Sequence, residues 1–344
     1  MQNDLFWRYS RQMLFTPIGR QGQERLLQKR VAIVGAGALG TVLANHLVRA
    51  GVGFVRLIDR DFVEPSNLQR QMLYDEEDAR QQLPKAIAAG EKLHRINSHV
   101  TIDPVVADVT PANAESLLAD VELILDGTDN FPIRYLINDV SIKHGIPWVY
   151  GGAVRDRGMF AVIRPGETPC YRCLFPQPPA GHGETCDTVG VIGPIVHIVA
   201  SYQAAEGLKL LLDDTAHVNP CLVQFELWAN EHSQMDLSHG RNQTCPACVR
   251  RQFDYLEERI EGEIYTTICG RDSVQITPAG AQPVDLSRLA HRLQPLGTIM
   301  LNNYLLRFRQ NDFTLVFFPD GRVLVQGTQD ITVARSLYAR YTGN

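Results

Sequence analysis

Residues 29–52, KRVAIVGAGALGTVLANHLVRAGV, decide the fold. Val31 to Val34 is an unbroken apolar run, Gly35-x-Gly37-x-x-Gly40 follows at once, and residues 41–50 have helical character. That order predicts a strand, a tight turn and a helix N-terminus, the arrangement that receives a nucleotide phosphate. Glycine opens backbone angles closed to other residues and lets a phosphate approach the main chain. The helix N-terminus adds free N–H groups and a partial positive charge. Residues 54–58 predict a second strand ending in Asp59. Asp59 lies about twenty residues beyond Gly40, where a Rossmann-like fold sets a carboxylate against a ribose hydroxyl. Gly35, Gly37, Gly40 and Asp59 are therefore candidate nucleotide-binding residues. Taken alone they suit an NAD-dependent or flavin oxidoreductase first. The stretch after Asp59, RDFVEPSNLQRQ over residues 60–71, is a polar cluster outside that fingerprint and argues otherwise.

Working outward, strand and helix patterns alternate. Residues 85–93 read as helix, 100–106 as strand, 111–118 as a short helix and 121–125 as a compact apolar strand. That strand runs into Asp126-Gly127-Thr128-Asp129-Asn130, then a helix over 132–144 and a strand over 148–150 ahead of Gly151-Gly152. Such alternation with short turns predicts a mostly parallel sheet covered on both faces. Ligands of these sheets lie at the carboxyl ends of the strands, so Gly35, Asp59 and Asp129 converge on one crevice. From Phe160 the rhythm changes to antiparallel strands, and a Pro/Gly-rich stretch over 165–193 predicts a long loop crossing the site. A small-residue helix over 195–212 follows. The fold class is thus α/β, a Rossmann-like nucleotide-binding domain extended by antiparallel strands over residues 1–250, plus a small α+β domain over 251–344. The stretch over 317–325, FFPDGRVLV, predicts a hairpin turning at Asp320-Gly321.

With 344 residues there is ample chain for one large domain or two unequal ones. The net charge is −5 with scattered Lys and Arg, which argues against nucleic-acid and membrane partners. No apolar run is long enough to span a bilayer, and MQNDLFWRYSRQ lacks the apolar core of a signal peptide. A cytoplasmic protein with reduced thiols is expected. Four of its seven cysteines form two C-x-x-C pairs, Cys170/Cys173 and Cys245/Cys248. Matching spacing in two distant pairs predicts a four-thiolate zinc site with no open position, hence a structural one. Two separate redox dithiols or a pair of disulfides are the alternatives.

Together these pieces resemble the ThiF/MoeB/HesA family, adenylyltransferases of ubiquitin-like sulfur-carrier proteins and bacterial relatives of ubiquitin-activating enzymes. The resemblance spans residues 5–250. It rests on RYSRQ (8–12), GAGALG (35–40), DRDFVEPSNLQRQ (59–71), PKA with Lys85, DGTDNFPIR (126–134), both cysteine pairs and TCDTVGVIGP around Cys186. Ala38 stands where the family pattern often has a second consecutive glycine.

The resemblance implies ATP-dependent adenylation of the terminal glycine carboxylate of a carrier ending in Gly-Gly, for a thiamine or molybdopterin sulfur pathway. It implies Asp59 on the ribose, Asn67, Arg70 and Lys85 on the phosphates, and Asp129 on Mg2+. It also implies a homodimer in which Arg11 reaches the phosphates of the other subunit. Cys186 is implied as a nucleophile that takes the activated carrier, against the plainer reading of an exposed thiol. Asp126 is read either as a site acid or as a turn-building carboxylate. Alternatives are adenylation of a peptide C-terminus or of a modified tRNA base, the latter disfavoured by the acidic balance, and an NAD-dependent oxidoreductase. Residues 251–344 do not read as a rhodanese domain; Cys269-Gly270-Arg271 is the nearest string to its anion loop.

Overall fold

The computed structural model describes residues 5–178, 186–257, 264–268, 272–278 and 283–342. The chain divides into two units, Met1–Glu258 and Arg259–Asn344.

The first unit is built on eight strands: β1 (Arg30–Val34), β2 (Phe54–Ile58), β3 (Thr101–Val105), β4 (Leu123–Asp126), β5 (Trp148–Val154), β6 (Arg157–Ile163), β7 (Cys221–Glu226) and β8 (Glu231–Asp236). Their order is β3-β2-β1-β4-β5-β6-β7-β8. Pairing is parallel from β3 through β5 and antiparallel from β5 through β8. Strand order reverses between β1 and β4, which opens a crevice at their carboxyl ends. The helices are α1 (Ser10–Met13), α2 (Gly19–Leu26), α3 (Ala38–Ala50), α4 (Glu76–Gln81), α5 (Lys85–Ile96), α6 (Ala114–Leu118), α7 (Phe131–His144), α8 (Tyr171–Leu174), α9 (Cys186–Val189) and α10 (Gly193–Leu211).

The apolar run of β1 is unbroken because both faces of the sheet are covered. Val31 and Ile33 join a core with Leu43 and Leu47 of α3, Ala89 of α5 and Val199 of α10. Ala32 and Val34 join the opposite core with Leu118 of α6 and Tyr135 and Val140 of α7.

The boundaries of α3 and β5 differ from expectation for physical reasons. Helix α3 begins three residues early because Gly37, the last loose residue of the turn, serves as its N-cap. Strand β5 does not stop at Tyr150 but runs through Gly151 and Gly152, which pair with Phe160 and Met159 of β6. The glycines there reflect packing: a Cβ on Gly151 would lie 2.3 Å from Gln203 Cδ. Residues 251–257 pack in the first unit. Phe253 and Leu256 are buried, Tyr255 N–H donates to Asp139 Oδ2 (3.0 Å), and the Tyr255 ring stacks on Tyr135.

The second unit is a six-stranded antiparallel sheet in the order β11-β12-β13-β14-β10-β9. Its strands are β9 (Ile264–Ile268), β10 (Ser273–Thr277), β11 (Thr298–Leu301), β12 (Leu306–Gln310), β13 (Phe313–Phe317) and β14 (Val323–Gln326). Helices α11 (Leu286–Leu293) and α12 (Ile331–Thr342) bury Leu289, Leu293 and Leu337 against Phe308, Phe317 and Val325. Strands β13 and β14 form the hairpin at Asp320-Gly321, where Gly321 takes φ +88°. Cys269, Gly270 and Arg271 lie outside the described residues. Among the described residues no helix is long and apolar enough to cross a membrane.

Candidate active site

The glycine turn between β1 and α3 sits at the strand-order reversal. Gly35 has φ +94°, and a Cβ there would lie 2.6 Å from the Gly127 carbonyl oxygen. A Cβ on Gly40 would fall 1.8 Å from the Gly35 carbonyl oxygen. Both glycines are therefore required by the protein's own packing. Gly37 is different: among the described residues a Cβ there would meet only Gln71 Nε2, at 3.9 Å. Gly37 leaves open space beside a helix N-terminus, which is where an anion approaches.

Asp59 follows β2 at the same end of the sheet. Its Oδ2 accepts from Ala36 N–H (2.7 Å) and its Oδ1 from Asp61 N–H (2.7 Å), so it binds the glycine turn to the segment after β2. Each oxygen retains a further lone pair for a hydroxyl donor. Burial pushes the Asp59 carboxyl up, Lys85 pulls it down and Asp61 pushes it up again. Lys85 begins α5, is buried, and reaches Asp61 Oδ2 with Nζ at 3.3 Å. Segment 61–63 pairs with 83–85 through Lys85 N–H to Asp61 O (2.8 Å) and Val63 N–H to Leu83 O (2.8 Å). This short pairing carries Lys85 to Asp59.

Asn67 lies in the turn Pro65–Asn67, where its Oδ1 accepts from Glu64 N–H at 3.0 Å. Its Nδ2 is buried and has no hydrogen-bond partner among the described residues, and the same holds for Gln71 Oε1 one turn further on. Unpartnered polar atoms beside a glycine turn are what a polar ligand would satisfy. The Arg70 guanidinium donates to the Ser66 carbonyl at 3.0 Å, and no carboxylate among the described residues pairs with it. Gly193, at the start of α10, brings the end of the crossing segment beside Arg70: a Cβ there would lie 3.4 Å from Gln69 O and 3.9 Å from Arg70 Cα.

The two aspartates after β4 separate. Asp126 is fully buried and accepts from Thr128 N–H (2.9 Å), Arg134 Nε (2.9 Å) and Gly151 N–H (3.4 Å). Burial pushes its carboxyl up while Arg134 pulls it down. It builds the turn and holds Arg134, which also donates to Thr128 O and Gly151 O. Asp129 is exposed instead and lines a cavity of about 100 Å³ with Phe131, Tyr150, Val154 and Arg157. Asn130 caps α7 through Ile133 N–H.

The sequence reading passed over Asp61, Gln71 and Arg60. Arg60 pairs with Asp108 at 2.9 Å; burial opposes its charge, but Asp108 and Asp61 outweigh burial and hold it above its ordinary value. The signal for Asp61 was its place between two recognised residues, Asp59 and Lys85, which pair through it.

Arg11 is not in this crevice. Its neighbour Gln12 donates to Ala50 O (2.9 Å), and Tyr9 packs so close to Gly51 that a Cβ there would lie 2.6 Å from the tyrosine ring. Both anchors hold the far end of α3, about 18 Å of helix away from the glycine turn. Arg11 itself is exposed.

On the other face of the sheet the cysteine pairs meet. Sγ separations are 3.8 Å for Cys170–Cys173, 3.6 Å for Cys170–Cys245 and 3.5 Å for Cys173–Cys248, and all four sulfurs lie within 4.8 Å of one another. A tetrahedral ion with thiolates at about 2.3 Å sets sulfurs about 3.8 Å apart. Disulfide sulfurs would be about 2.05 Å apart. The donor set fits one tetrahedral ion and unites the pairs, against two dithiols or two disulfides. Cys186 opens α9, and its side chain lies outside the described residues. The segment after α9 clasps the β5–β6 hairpin, with Arg155 N–H donating to Gly190 O and Ile192 N–H to Arg155 O.

Comparison with known proteins agrees with this architecture. The chain is 44% identical over 337 residues to the Sulfur carrier protein ThiS adenylyltransferase of Bacillus subtilis (strain 168), covering 98% of this chain and 99% of that one. It is 41% identical to the Sulfur carrier protein adenylyltransferase of Thermus thermophilus, covering 70% of this chain and 90% of that one. Among solved structures, E. coli MccB with MccA-N7isoASN superposes with a TM-score of 0.63 at 21% identity, over 72% of this chain and 76% of that chain, a likeness of fold. Residues 9–247 match the ThiF family. The chain belongs to the ThiF family.

Proposed function

We propose that the protein joins the C-terminal glycine carboxylate of a ubiquitin-like sulfur-carrier protein to AMP, consuming ATP and releasing pyrophosphate. The observation that carries this reading is the convergence of the open Gly37, Asp59, Asn67 and Lys85 on one crevice, in a chain this similar to sulfur-carrier adenylyltransferases.

The reaction needs no general base. A carboxylate is already ionised and is itself the nucleophile; the barrier lies in bringing it to a polyanion and stabilising the leaving pyrophosphate. In this reading Asp59 holds the ribose, and the amides at Gly37 to Gly40 face the phosphates with Asn67, Arg70 and Lys85. Asp129, exposed and at a strand end, would hold Mg2+ as a hard oxygen ligand, and the ion supplies charge neutralisation to the triphosphate. Catalysis is then mostly positioning and electrostatics.

Arg11, in α1 beside the far end of α3, stands too far away to serve its own crevice, which supports a homodimer in which it serves the partner's. Zinc is the ion proposed for the four cysteines, with a structural role. Cys186 is the proposed acceptor of the activated carrier: thiolate attack on the acyl adenylate would expel AMP and leave a thioester.

The test is carrier-dependent pyrophosphate exchange with magnesium, ATP and a panel of carriers ending in Gly-Gly. Exchange with at least one carrier is expected, and none across the panel would overturn the reading.

A further inference from the structure

Five residues close a hydrogen-bonded ring beneath the crevice. Asp59 Oδ2 accepts from Ala36 N–H (2.7 Å), and Ala36 O accepts from the Tyr74 hydroxyl (2.7 Å). The same hydroxyl lies 3.1 Å from Lys85 O, Lys85 N–H donates to Asp61 O (2.8 Å), and Asp61 N–H returns to Asp59 Oδ1 (2.7 Å). Two members, Asp59 and Lys85, have direct ligand roles in the adenylation reading. Ala36 lies between two glycines of the turn, and the two peptide groups that flank it are each held, one through the Ala36 N–H and the other through the Ala36 C=O. Tyr74 is the member that joins the turn to the start of α5.

Tyr74 is 7% exposed and belongs to the same core cluster as Leu73. Burial, and the charges of Asp59, Asp78 and Asp61, hold its hydroxyl protonated well above the ordinary tyrosine range, so it stays a donor. A turn with three glycines in six residues is intrinsically loose, while an anion cradle and its lysine must be held within about 0.5 Å of their working geometry. A single buried hydroxyl shared between Ala36 O and Lys85 O supplies that link.

We propose that Tyr74 is a positioning residue for ATP. Its hydroxyl sets the spacing between the amides of the glycine turn and Lys85 so that both engage one triphosphate, and it touches no substrate itself. The proposal rests on the adenylation reading and adds a residue to it.

Tyr74→Phe in the full chain isolates the hydroxyl, because the ring and its packing remain. Titration calorimetry with ATP and separately with adenosine reads the effect. The variant is expected to bind ATP about five- to tenfold more weakly, with adenosine affinity unchanged, since only the phosphates meet the displaced groups. Leu73→Ala removes buried surface next to Tyr74 without touching the ring; it is expected to lower the Tm while keeping the wild-type ratio of ATP to adenosine affinity. Equal loss of both ligands in Tyr74→Phe, or wild-type ATP affinity, would overturn the proposal. Wild-type protein that binds no ATP would overturn the adenylation reading, and this proposal with it.

Discussion

Glycines of one motif make different demands, and substituting Gly40 and Gly37 by alanine separates them. Gly40→Ala drives a methyl into the Gly35 carbonyl, 1.8 Å away, so the turn must move. A loss of about 3 kcal/mol of stability is expected by denaturant unfolding, with nucleotide binding impaired as well. Gly37→Ala meets, among the described residues, nothing but the tip of Gln71, so its Tm should stay within a degree or two of wild type. Its ATP affinity should nonetheless fall about tenfold or more, because the methyl occupies the approach to the α3 amides. A Gly37→Ala protein with normal ATP affinity would remove the phosphate from this turn. The contrast shows what the motif made readable. Glycine spacing, Asp59 and Lys85 are visible in sequence because backbone angles and charge restrict those positions to few residue types. Tyr74 and Asp61 act largely through bonds to or from main-chain atoms, which any residue carries. Such links form only when the backbone folds, and in sequence Asp61 shows only by its place between Asp59 and Lys85.

Helix α7 shows how an element is tied down away from the site. Asp139 is fully buried, and its Oδ2 accepts from Tyr255 N–H, which fastens residues 253–256 to the helix. Burial pushes its carboxyl up to about 6, with the Tyr255 amide and Arg172 opposing and Asp254 adding to the rise. In the unfolded chain the same group titrates near 3.8. The folded form keeps a proton that the unfolded form has lost, so this contribution to stability is full below pH 4 and lost as pH rises through about 6. Asp139→Asn retains an oxygen acceptor and does not titrate. Relative to wild type it should gain about 3 kcal/mol between pH 4 and pH 7 in urea unfolding, and a constant difference across that range would contradict the assignment. The cysteine pairs flank the same region. Elemental analysis should find one zinc per chain, and Cys245→Ser should lower both zinc content and Tm, by about 2–8 °C for a loss of one or two kcal/mol. A full-length protein with no zinc and an unchanged Tm after strong chelation would contradict that. Matching C-x-x-C spacing made this centre legible from sequence, whereas β11 was not, because Thr298–Leu301 has no alternation and gains its place only by pairing with β12. The run of β5 through two glycines was hidden similarly, since the partner strand and Gln203 decide it.

For the molecule as a whole, the position of Arg11 is the observation that reaches beyond one chain. The N-terminal segment is held firmly: Tyr9 is buried and accepts from Asn97 Nδ2, and Gln12 bonds both Gln23 and Ala50. Arg11 lies between these anchors on the surface, about one length of α3 from the glycine turn that begins the same helix. An arginine side chain does not extend that far, so Arg11 can act at the phosphates only if they are bound by a second copy. In the proposed two-fold dimer this arrangement would be reciprocal, each subunit lending Arg11 to the other. Arg11→Ala and Lys85→Ala homodimers should each be nearly inactive in pyrophosphate exchange. Mixed and allowed to exchange subunits in equal amounts, half of the dimers become heterodimers, and each of these has one crevice with Lys85 intact and Arg11 supplied by the partner. The other crevice lacks both. Recovery to about a quarter of wild-type activity is therefore expected. Recovery also requires exchange, so it should follow the time course of heterodimer formation seen by native mass spectrometry. Heterodimers that form without regaining activity would show that Arg11 does not act across the subunit boundary, and substantial activity in the Arg11→Ala homodimer would show that the phosphates do not need it.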